Sequence, residues 1–162
     1  MDVESWGWTV VEIFRREDEV VEFMVRYREL PDGLVRSEWP STLTVTWENR
    51  FSGPEGFPVP REMEAMGEFE LRLGEAVEKD ALAVMSIAVT GHQERVMLFH
   101  TKDVAEFSKR LHEMPQEEQR YPIRIEKSED PTWSQLEQTF ERFGMVRPTK
   151  RSWWQRLKSL VG

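Results

Sequence analysis

The three histidines are the residues of this chain best suited to acid–base or metal chemistry. His92 lies in a predicted turn, His100 near the end of a predicted strand and His112 on the polar side of a predicted helix. None has a partner at the H-x-x-x-H or H-x-x-E spacing that places two metal ligands on one helix face. His100 and Asp103 can meet where the strand joins the next helix, which would make a weak acid–base or metal pair. No third ligand or nucleophile is predicted beside them, so surface histidines are the simpler interpretation.

Carboxylates are abundant, but their positions do not indicate catalysis. A hydrolase that uses two acids needs both of them in one cleft, with pKa values pushed apart. The acidic clusters here fall in predicted turns or on solvated helix faces, and Asp130 has a sufficient structural role as a helix cap. We therefore predict no catalytic, cofactor-binding or metal-binding residues, no cofactor, and no enzyme. The clusters are Glu17, Asp18 and Glu19; Glu62 and Glu64; Glu117 and Glu118; and Glu126, Glu129 and Asp130.

Phosphate-binding and RNA-binding motifs are missing from the sequence. Residues 52–56 contain two glycines but lack the Lys-Ser/Thr pair of a Walker loop. RNA-recognition sheets carry a strand of the type Lys/Arg-Gly-Phe/Tyr-Gly/Ala-Phe-Val, whereas residues 95–100 read Arg-Val-Met-Leu-Phe-His. The surroundings are also acidic and repel phosphate, so we expect no nucleic-acid partner. Residues 52–60 contain three prolines and are predicted to form a shaped loop.

The most specific local pattern is the C-terminal tail, residues 147–162, which carries five basic residues and no acid. Residues 150–161 as a helix would place tryptophan and leucine on one arc and basic residues on the other, as in helices that bind a membrane interface or a partner's groove. The predicted partner-binding residues are Trp153, Trp154, Arg156, Leu157, Lys158 and Leu160. Docking of the tail on its own acidic body is the alternative, because an exposed Trp-Trp pair is a liability. About twelve residues are too short for stable membrane attachment alone.

The composition is that of an acidic, packed protein. The chain has 162 residues, 39% of them apolar, and a formal net charge of −8. Without the tail, 17 basic residues face 30 acidic ones, a balance that would suit a basic protein partner. The chain has no cysteine, no apolar run near the roughly 20 residues of a membrane span, and no signal-peptide layout. We therefore expect a soluble cytoplasmic protein.

Hydrophobic periodicity predicts the order of the elements that must position these residues. Alternation over residues 6–14 and 20–30 predicts an N-terminal β-hairpin. Strand, helix, strand, strand, helix and strand then follow between residues 41 and 127, the order typical of a ferredoxin-like βαββαβ sandwich. Pro60 is predicted to lie in the first turn of the first helix and Asp103 to cap the second. The last strand is predicted from Tyr121, Ile123 and Ile125. Asp130 and Pro131 are predicted to begin a third helix.

The predicted fold class is therefore α+β: an antiparallel sheet extended by the N-terminal hairpin, with helices mainly on one face and C-terminal helices after it. Residues 1–146 are predicted to form one domain, and residues 147–162 a basic amphipathic tail helix. This fold hosts many unrelated functions, so it predicts no chemistry by itself.

Several residues between Arg95 and Phe143 also form a recognisable pattern. They are the strand at residues 95–101, the helix after Asp103 with Phe107 and Leu111, the Tyr121-Pro122 pair, and the Asp-Pro-x-Trp element of Asp130, Pro131 and Trp133. On these residues the chain resembles a bacterial family known only as domain of unknown function 695. The upstream helix with Glu62 and Glu64 is compatible with it, and the resemblance covers about two thirds of the chain. It implies a bacterial source and a fold, and no activity.

Three functional hypotheses follow from the sequence. The first is a non-catalytic binding or regulatory module whose acidic surface binds a basic protein partner, as an inhibitor or immunity-type protein would. The alternative is a small-ligand binder or enzyme with a pocket near His100 and the loop at residues 52–60. The second alternative is a peripheral membrane or assembly protein that acts through the tail helix.

Overall fold

A computed structural model describes residues 1–145 of the chain, and the predicted tail lies outside them. Within the described residues the chain forms an α+β structure of six strands and three α-helices. The strands are β1 (Trp8–Phe14), β2 (Val21–Arg28), β3 (Ser41–Glu48), β4 (Ala83–Gly91), β5 (Glu94–Thr101) and β6 (Ile123–Glu129). The helices are α1 (Pro60–Val77), α2 (Val104–Glu113) and α3 (Ser134–Arg142). None of these helices has both the length and the apolar character needed to cross a membrane.

The six strands form one antiparallel sheet in the order β1-β2-β4-β5-β3-β6. β1 and β2 form the predicted N-terminal hairpin and extend the sheet beside β4. All nine residues of β4 are buried, as its nearly continuous apolar sequence predicts for a strand covered on both faces. The two faces of the sheet are therefore both covered, and each has its own hydrophobic core.

The helices α1 and α2 cover one face of the sheet. The buried stripe of α1 includes Met66, Phe69 and Leu73, and Phe107 and Leu111 of α2 pack into the same core. Pro60 begins α1, as predicted, because the missing N–H of proline costs nothing at a first helical position. Asp103 caps α2 by accepting a hydrogen bond from the Glu106 backbone N–H over 3.0 Å, also as predicted.

The third helix begins later than predicted and covers the second face of the sheet. α3 packs on the opposite face of the sheet, where Phe140 meets Tyr27 edge to face with ring centroids 5.1 Å apart. It begins at Ser134 rather than at Pro131. The Asp130 side chain still serves the helix start, since it accepts hydrogen bonds from the backbone N–H groups of Ser134 (2.7 Å) and Gln135 (3.1 Å).

The last strand also differs from the predicted one. Tyr121 precedes β6 and is buried in the core with Trp47 and Phe69, while the strand continues through charged residues to Glu129. β6 is an edge strand with most of its residues exposed, so its sequence lacks the alternation that marks a half-buried strand.

A buried ion pair fixes the hairpin to the rest of the domain. Arg28 in β2 donates to both carboxylate oxygens of Glu78, at 2.9 and 2.7 Å, and to the Val3 carbonyl oxygen at 2.8 Å. Only 3% of the Arg28 side chain and 7% of the Glu78 side chain is exposed. Burial raises the pKa of Glu78, although Arg28 acts in the opposite direction. Each charge depends on the other, because neither has water to solvate it.

Replacing Glu78 alone should therefore be severe. We expect Glu78→Ala to lower the free energy of unfolding by about 3–5 kcal/mol, because it leaves the Arg28 guanidinium buried without a counter-ion. Urea unfolding of the variant measures the loss. The exposed pair Arg124–Glu48 supplies the control, and Glu48→Gln should change the free energy far less. If both variants lost the same free energy of unfolding, burial would not be the reason that the Arg28–Glu78 pair matters.

Candidate functional site

One polar cluster is enclosed between the sheet and α3. His100 in β5 contacts two hydroxyl groups: Thr42 Oγ1 lies 2.9 Å from Nδ1, and Ser86 Oγ lies 2.7 Å from Nε2. Thr42 Oγ1 donates in turn to Asp130 Oδ2 over 3.1 Å. The imidazole stacks on Trp133, with ring centroids 3.9 Å apart and 7° between the ring planes. We call Ser86, His100, Thr42 and Asp130 the His100 cluster.

The hydrogen bonds of the His100 cluster share one direction. The single hydroxyl proton of Thr42 is donated to Asp130, so Nδ1–H of a neutral His100 donates to Thr42 Oγ1. In this neutral tautomer Nε2 accepts the hydrogen bond of the Ser86 hydroxyl. Hydrogen bonds therefore connect Ser86, His100 and an acid in the order of a catalytic triad, except that the Thr42 hydroxyl lies between the histidine and Asp130.

A break in the strand pairing lies beside Ser86. In the pairing of β4 with β5, Met85 lies opposite Phe99 and Ile87 opposite Leu98, so Ser86 is an extra residue in a β-bulge. Val84 lies opposite His100, and Ser86, two residues further on, lies on the same face and contacts the imidazole. Such bulges occur often beside active sites, because they redirect one side chain without disturbing the rest of the sheet.

Burial prevents this cluster from acting on a substrate in the described conformation. The exposed fraction is 1% for Ser86, 0% for His100 and Thr42, and 4% for Asp130. Trp133, itself fully buried, covers the imidazole. A nucleophile must touch its substrate, so the cluster serves here as a saturated polar core that joins α3 to three strands.

The expectation of surface histidines is wrong for His100. It lies on the face of β5 that α3 covers, whereas His92 and His112 are exposed. Asp103 does not pair with His100, because it caps α2 instead. Among the described residues, no group of three or more His, Asp or Glu side chains could hold a metal ion.

The loop at residues 49–59 lies at the other end of β3 from Thr42 and His100, so the structure does not bring the loop and His100 into one pocket. It meets the β4–β5 turn instead. The Gln93 backbone N–H donates to the Gly56 carbonyl over 2.8 Å, and the Asn49 N–H donates to the Gln93 carbonyl over 2.9 Å. An Arg15–Glu55 ion pair of 3.0 Å joins the loop to the β1–β2 turn.

These three connections form an end of the sheet that is rich in carboxylates. Residues 15–22, 48–59 and 91–94 contain seven acids and three arginines. We call the seven the acidic end: Glu17, Asp18, Glu19, Glu22, Glu48, Glu55 and Glu94. Glu48 and Glu94 are direct cross-strand partners, an arrangement of like charges that destabilises a sheet. Within residues 1–145, Glu17, Glu19 and Glu94 have no arginine or lysine partner within 4.0 Å.

Backbone strain gathers at the same end. Six described residues other than glycine have a positive φ, and four of them lie here: Glu19, Glu55, His92 and Gln93, with φ between 50° and 70°. Each such residue costs about 1–2 kcal/mol relative to a relaxed backbone. His92 and Gln93 form the two-residue loop between β4 and β5, where the favoured hairpin turn requires a positive φ at both positions. Glu19 and Glu55 lie in the other two segments of the acidic end.

Comparison with known proteins identifies a family. The model of a family of unknown function, DUF695, matches residues 11–140, well over half of the chain. The chain belongs to the DUF695 family. No curated protein and no solved structure matches it.

The DUF695 match contains all the residues of the two features described above. It begins within β1 and ends within α3, so the His100 cluster and the acidic end both lie inside it. The predicted partner-binding residues of the tail, Trp153, Trp154, Arg156, Leu157, Lys158 and Leu160, lie outside both the match and the described residues. The resemblance seen in the sequence between Arg95 and Phe143 is confirmed by this match.

A cavity of about 280 Å³ lies between α3 and the outer half of the β4–β5 hairpin of this DUF695 domain. Its floor is apolar and includes Ile87, Val96 and Leu98. At its rim, His92 stacks on Phe23 with ring centroids 4.5 Å apart and contacts Glu22 Oε1 over 3.0 Å. Leu98 and His100 lie two residues apart on one strand face, so this cavity approaches the His100 cluster without reaching it.

The sequence analysis did not predict the burial of three acids, of which Glu78 has been described in its ion pair with Arg28. Glu62, predicted on a solvated face, is 1% exposed and accepts hydrogen bonds from Trp47 Nε1 (2.7 Å) and the Arg50 backbone N–H (3.1 Å). Asp130 was assigned only a capping role, yet it also ends the His100 cluster. A glutamate in a first helical turn is an ordinary pattern, and only the position of Trp47 in three dimensions shows that Glu62 is buried.

Cutting the His100 cluster at its centre should destabilise the domain. We expect Thr42→Val to lower the free energy of unfolding by about 1–3 kcal/mol, because it leaves His100 Nδ1–H without its acceptor in a site closed to water. Thermal and urea unfolding measure the loss. Thr44→Val on the same strand is the matched control, since Thr44 is half-buried and makes only a long 3.3 Å bond to Gln135. A Thr42 variant as stable as the control would show that the cluster does not hold α3.

The ionisation of Asp130 should make stability depend on pH. Burial acts against the charged form of Asp130, but the hydrogen bonds from Ser134, Gln135 and Thr42 outweigh it and lower its pKa below the ordinary 3.8. A lowered carboxyl pKa adds stability above the unfolded value and loses it as the pH falls through the folded value. We expect the stability difference between the wild type and Asp130→Asn, measured by urea unfolding, to shrink as the pH falls below about 4. A difference that stays constant from neutral to acidic pH would contradict this.

Proposed function

We propose that this DUF695 protein is a non-catalytic protein-binding module that recognises a basic protein partner through the acidic end of its sheet. The observation that carries the proposal is the set of carboxylates at that end: Glu17, Glu19 and Glu94 lack basic partners among the described residues, and Glu94 lies opposite Glu48, which is itself paired with Arg124. Uncompensated like charges attract a partner of opposite charge and raise its rate of association. An inhibitor or immunity-type protein in a bacterial cytoplasm would have this character.

The burial of the His100 cluster supports a non-catalytic role. The chain's one Ser–His–acid sequence of hydrogen bonds within residues 1–145 is covered by Trp133 and α3. The small-ligand alternative has the α3 cavity in its favour, but the polar groups of that rim include the paired His92 and Glu22. The membrane or assembly alternative depends on the tail and receives no support from the described residues.

The strand order supports the ferredoxin-like part of the fold prediction. Read from the β6 edge, the sheet runs β6-β3-β5-β4, with every neighbour antiparallel and with α1 and α2 on one face. A βαββαβ unit whose fourth strand pairs with its first, and whose third strand lies between the first and the second, has this order. In this interpretation β1, β2 and α3 are additions to the ferredoxin-like unit.

Neutralising the acidic end should abolish capture of a basic partner. The test compares the immobilised full-length protein with a variant carrying Glu17→Gln, Glu19→Gln and Glu94→Gln, and captured proteins are quantified by mass spectrometry. We expect basic proteins that the wild type captures at 0.1 M salt to be lost at 1 M salt, because the screening length falls from about 10 Å to about 3 Å. The same proteins should be lost from the variant.

The control removes the same charge from another surface. Glu64→Gln, Glu75→Gln and Glu113→Gln change three exposed acids of α1 and α2, so the net charge is matched while the acidic end is intact. Capture should survive in this variant. Equal loss in both variants would indicate unspecific attraction to an acidic protein, and capture insensitive to salt would overturn the proposal.

A further inference from the structure

The strand β1 exposes backbone groups along one edge of the sheet. No other described strand pairs with its outer side. The Glu29 backbone N–H donates to the Gly7 carbonyl over 2.8 Å, and Gly7 and Glu29 lie opposite each other in the register of β1 and β2. Hydrogen-bonded and non-hydrogen-bonded pairs alternate in an antiparallel ladder, so Trp8, Val10 and Glu12 direct their N–H and C=O groups outward.

The two edges of the sheet are built differently. Four of the seven residues of β6 are charged, which is how proteins discourage pairing at an edge. The seven residues of β1 read Trp-Thr-Val-Val-Glu-Ile-Phe, and Glu12 is the one charged residue among them. Val10 and Phe14, on one face of β1, expose 55% and 54% of their surface. β1 therefore has the composition of a strand that pairs on both sides.

The sheet face next to β1 offers room for the side chains of an added strand. A cavity of about 320 Å³ lies there between the hairpin and α1, and Val10, Met24, Met63 and Ala88 supply much of its lining. The charged side chains beside it are fixed by their own pairs, since Glu70 Oε1 accepts from Arg95 Nη1 over 2.7 Å. An apolar side chain placed beside Val10 would extend this surface.

The charged residues at both ends of β1 indicate which kind of segment can pair with it. Asp2 and Glu4 precede the strand. The turn after it carries Glu17, Asp18 and Glu19 beside Arg15 and Arg16, and Arg15 is already paired with Asp18 and Glu55. Each end of β1 therefore has a net negative charge, so two copies of the chain paired through β1 would bring ends of like net charge together in either strand direction. A segment with lysine or arginine at its ends fits both groups of acids.

We propose that β1 binds an extended, basic segment of a partner protein as a seventh strand of the sheet. Backbone hydrogen bonds to Trp8, Val10 and Glu12 would hold the segment, and the flanking acids would select its charge. This inference deepens the proposed function and rests on it, because it names the mode by which the basic partner is bound.

Selection of random peptides on the immobilised full-length protein tests the inference, with peptides long enough to pair along all seven residues of β1. We expect the enriched peptides to alternate apolar and polar residues and to carry lysine or arginine. Val10→Pro should weaken their binding about tenfold or more, since it removes one outward N–H and sets a proline ring against the added strand. The outward N–H of Val10 makes no bond to a described strand, so the fold should persist.

The matched control lies on the opposite edge. The Glu48 N–H donates to the Pro122 carbonyl over 2.9 Å, and the Asp130 N–H donates to the Pro40 carbonyl over 2.8 Å, a register that leaves Ile125 with its N–H outward. Ile125→Pro should bind the selected peptides as the wild type does. Amide hydrogen exchange of the wild type gives a reading that needs no variant: the amides of Trp8, Val10 and Glu12 should become protected when peptide is added.

Peptides that bind Val10→Pro as tightly as the wild type, without protecting these amides, would overturn the seventh strand. If those peptides still bind more weakly to the variant in which Glu17, Glu19 and Glu94 are neutralised, the proposed function stands, and only the pairing of the partner with β1 is wrong.

A second outcome would also overturn the inference: the amides of Trp8, Val10 and Glu12 are already protected in the free chain, and no peptide is enriched. A concentration-dependent dimer would then identify a second copy as the occupant, and loss of protection in Trp153→Ala would identify the chain's own tail.

Discussion

The burial of β4 along its whole length is the constraint on which the rest of the structure depends. All nine of its residues are enclosed, so both faces of the sheet need a cover. The helices α1 and α2 supply one cover, and α3 the other. The second cover places polar groups in the interior. The Asp130 carboxylate accepts a hydrogen bond from the Ser134 amide at the start of α3 and another from the Thr42 hydroxyl. The His100 cluster satisfies these groups, and the hydrogen bonds of a complete chain strengthen one another in a medium poor in water.

The same enclosure keeps the His100 cluster away from the surface groups on which the proposed binding depends. The residues with the right order for nucleophilic catalysis lie beneath Trp133, whereas the carboxylates of the acidic end and the outer side of β1 face solvent. The Ser86 side chain is held by its hydrogen bond to His100 and is out of reach of a substrate in solution. The proposed binding depends instead on two surface features, the negative charge at one end of the sheet and the outward backbone groups of β1 beside it.

Local patterns predicted the elements that depend on nearby residues. The proline at the start of α1, the cap of α2 by Asp103 and the apolar run of β4 each act over one or two turns or one strand, so the sequence displays them directly. The face on which α3 packs could not be predicted, because a helical stripe shows that a helix is buried and not which side of a sheet buries it. His100 and Glu62 were assigned to the surface for the same reason: their partners Thr42, Ser86 and Trp47 are distant in sequence.

The strained turns at the acidic end set a limit on how this protein can evolve. Glycine at Gln93 or asparagine at Glu19 would relax a left-handed backbone at almost no chemical cost, so a more stable chain lies a single substitution away. The free energy released by relaxing either turn could offset a destabilising change elsewhere in the chain, so these turns affect how many mutations the interior can accept.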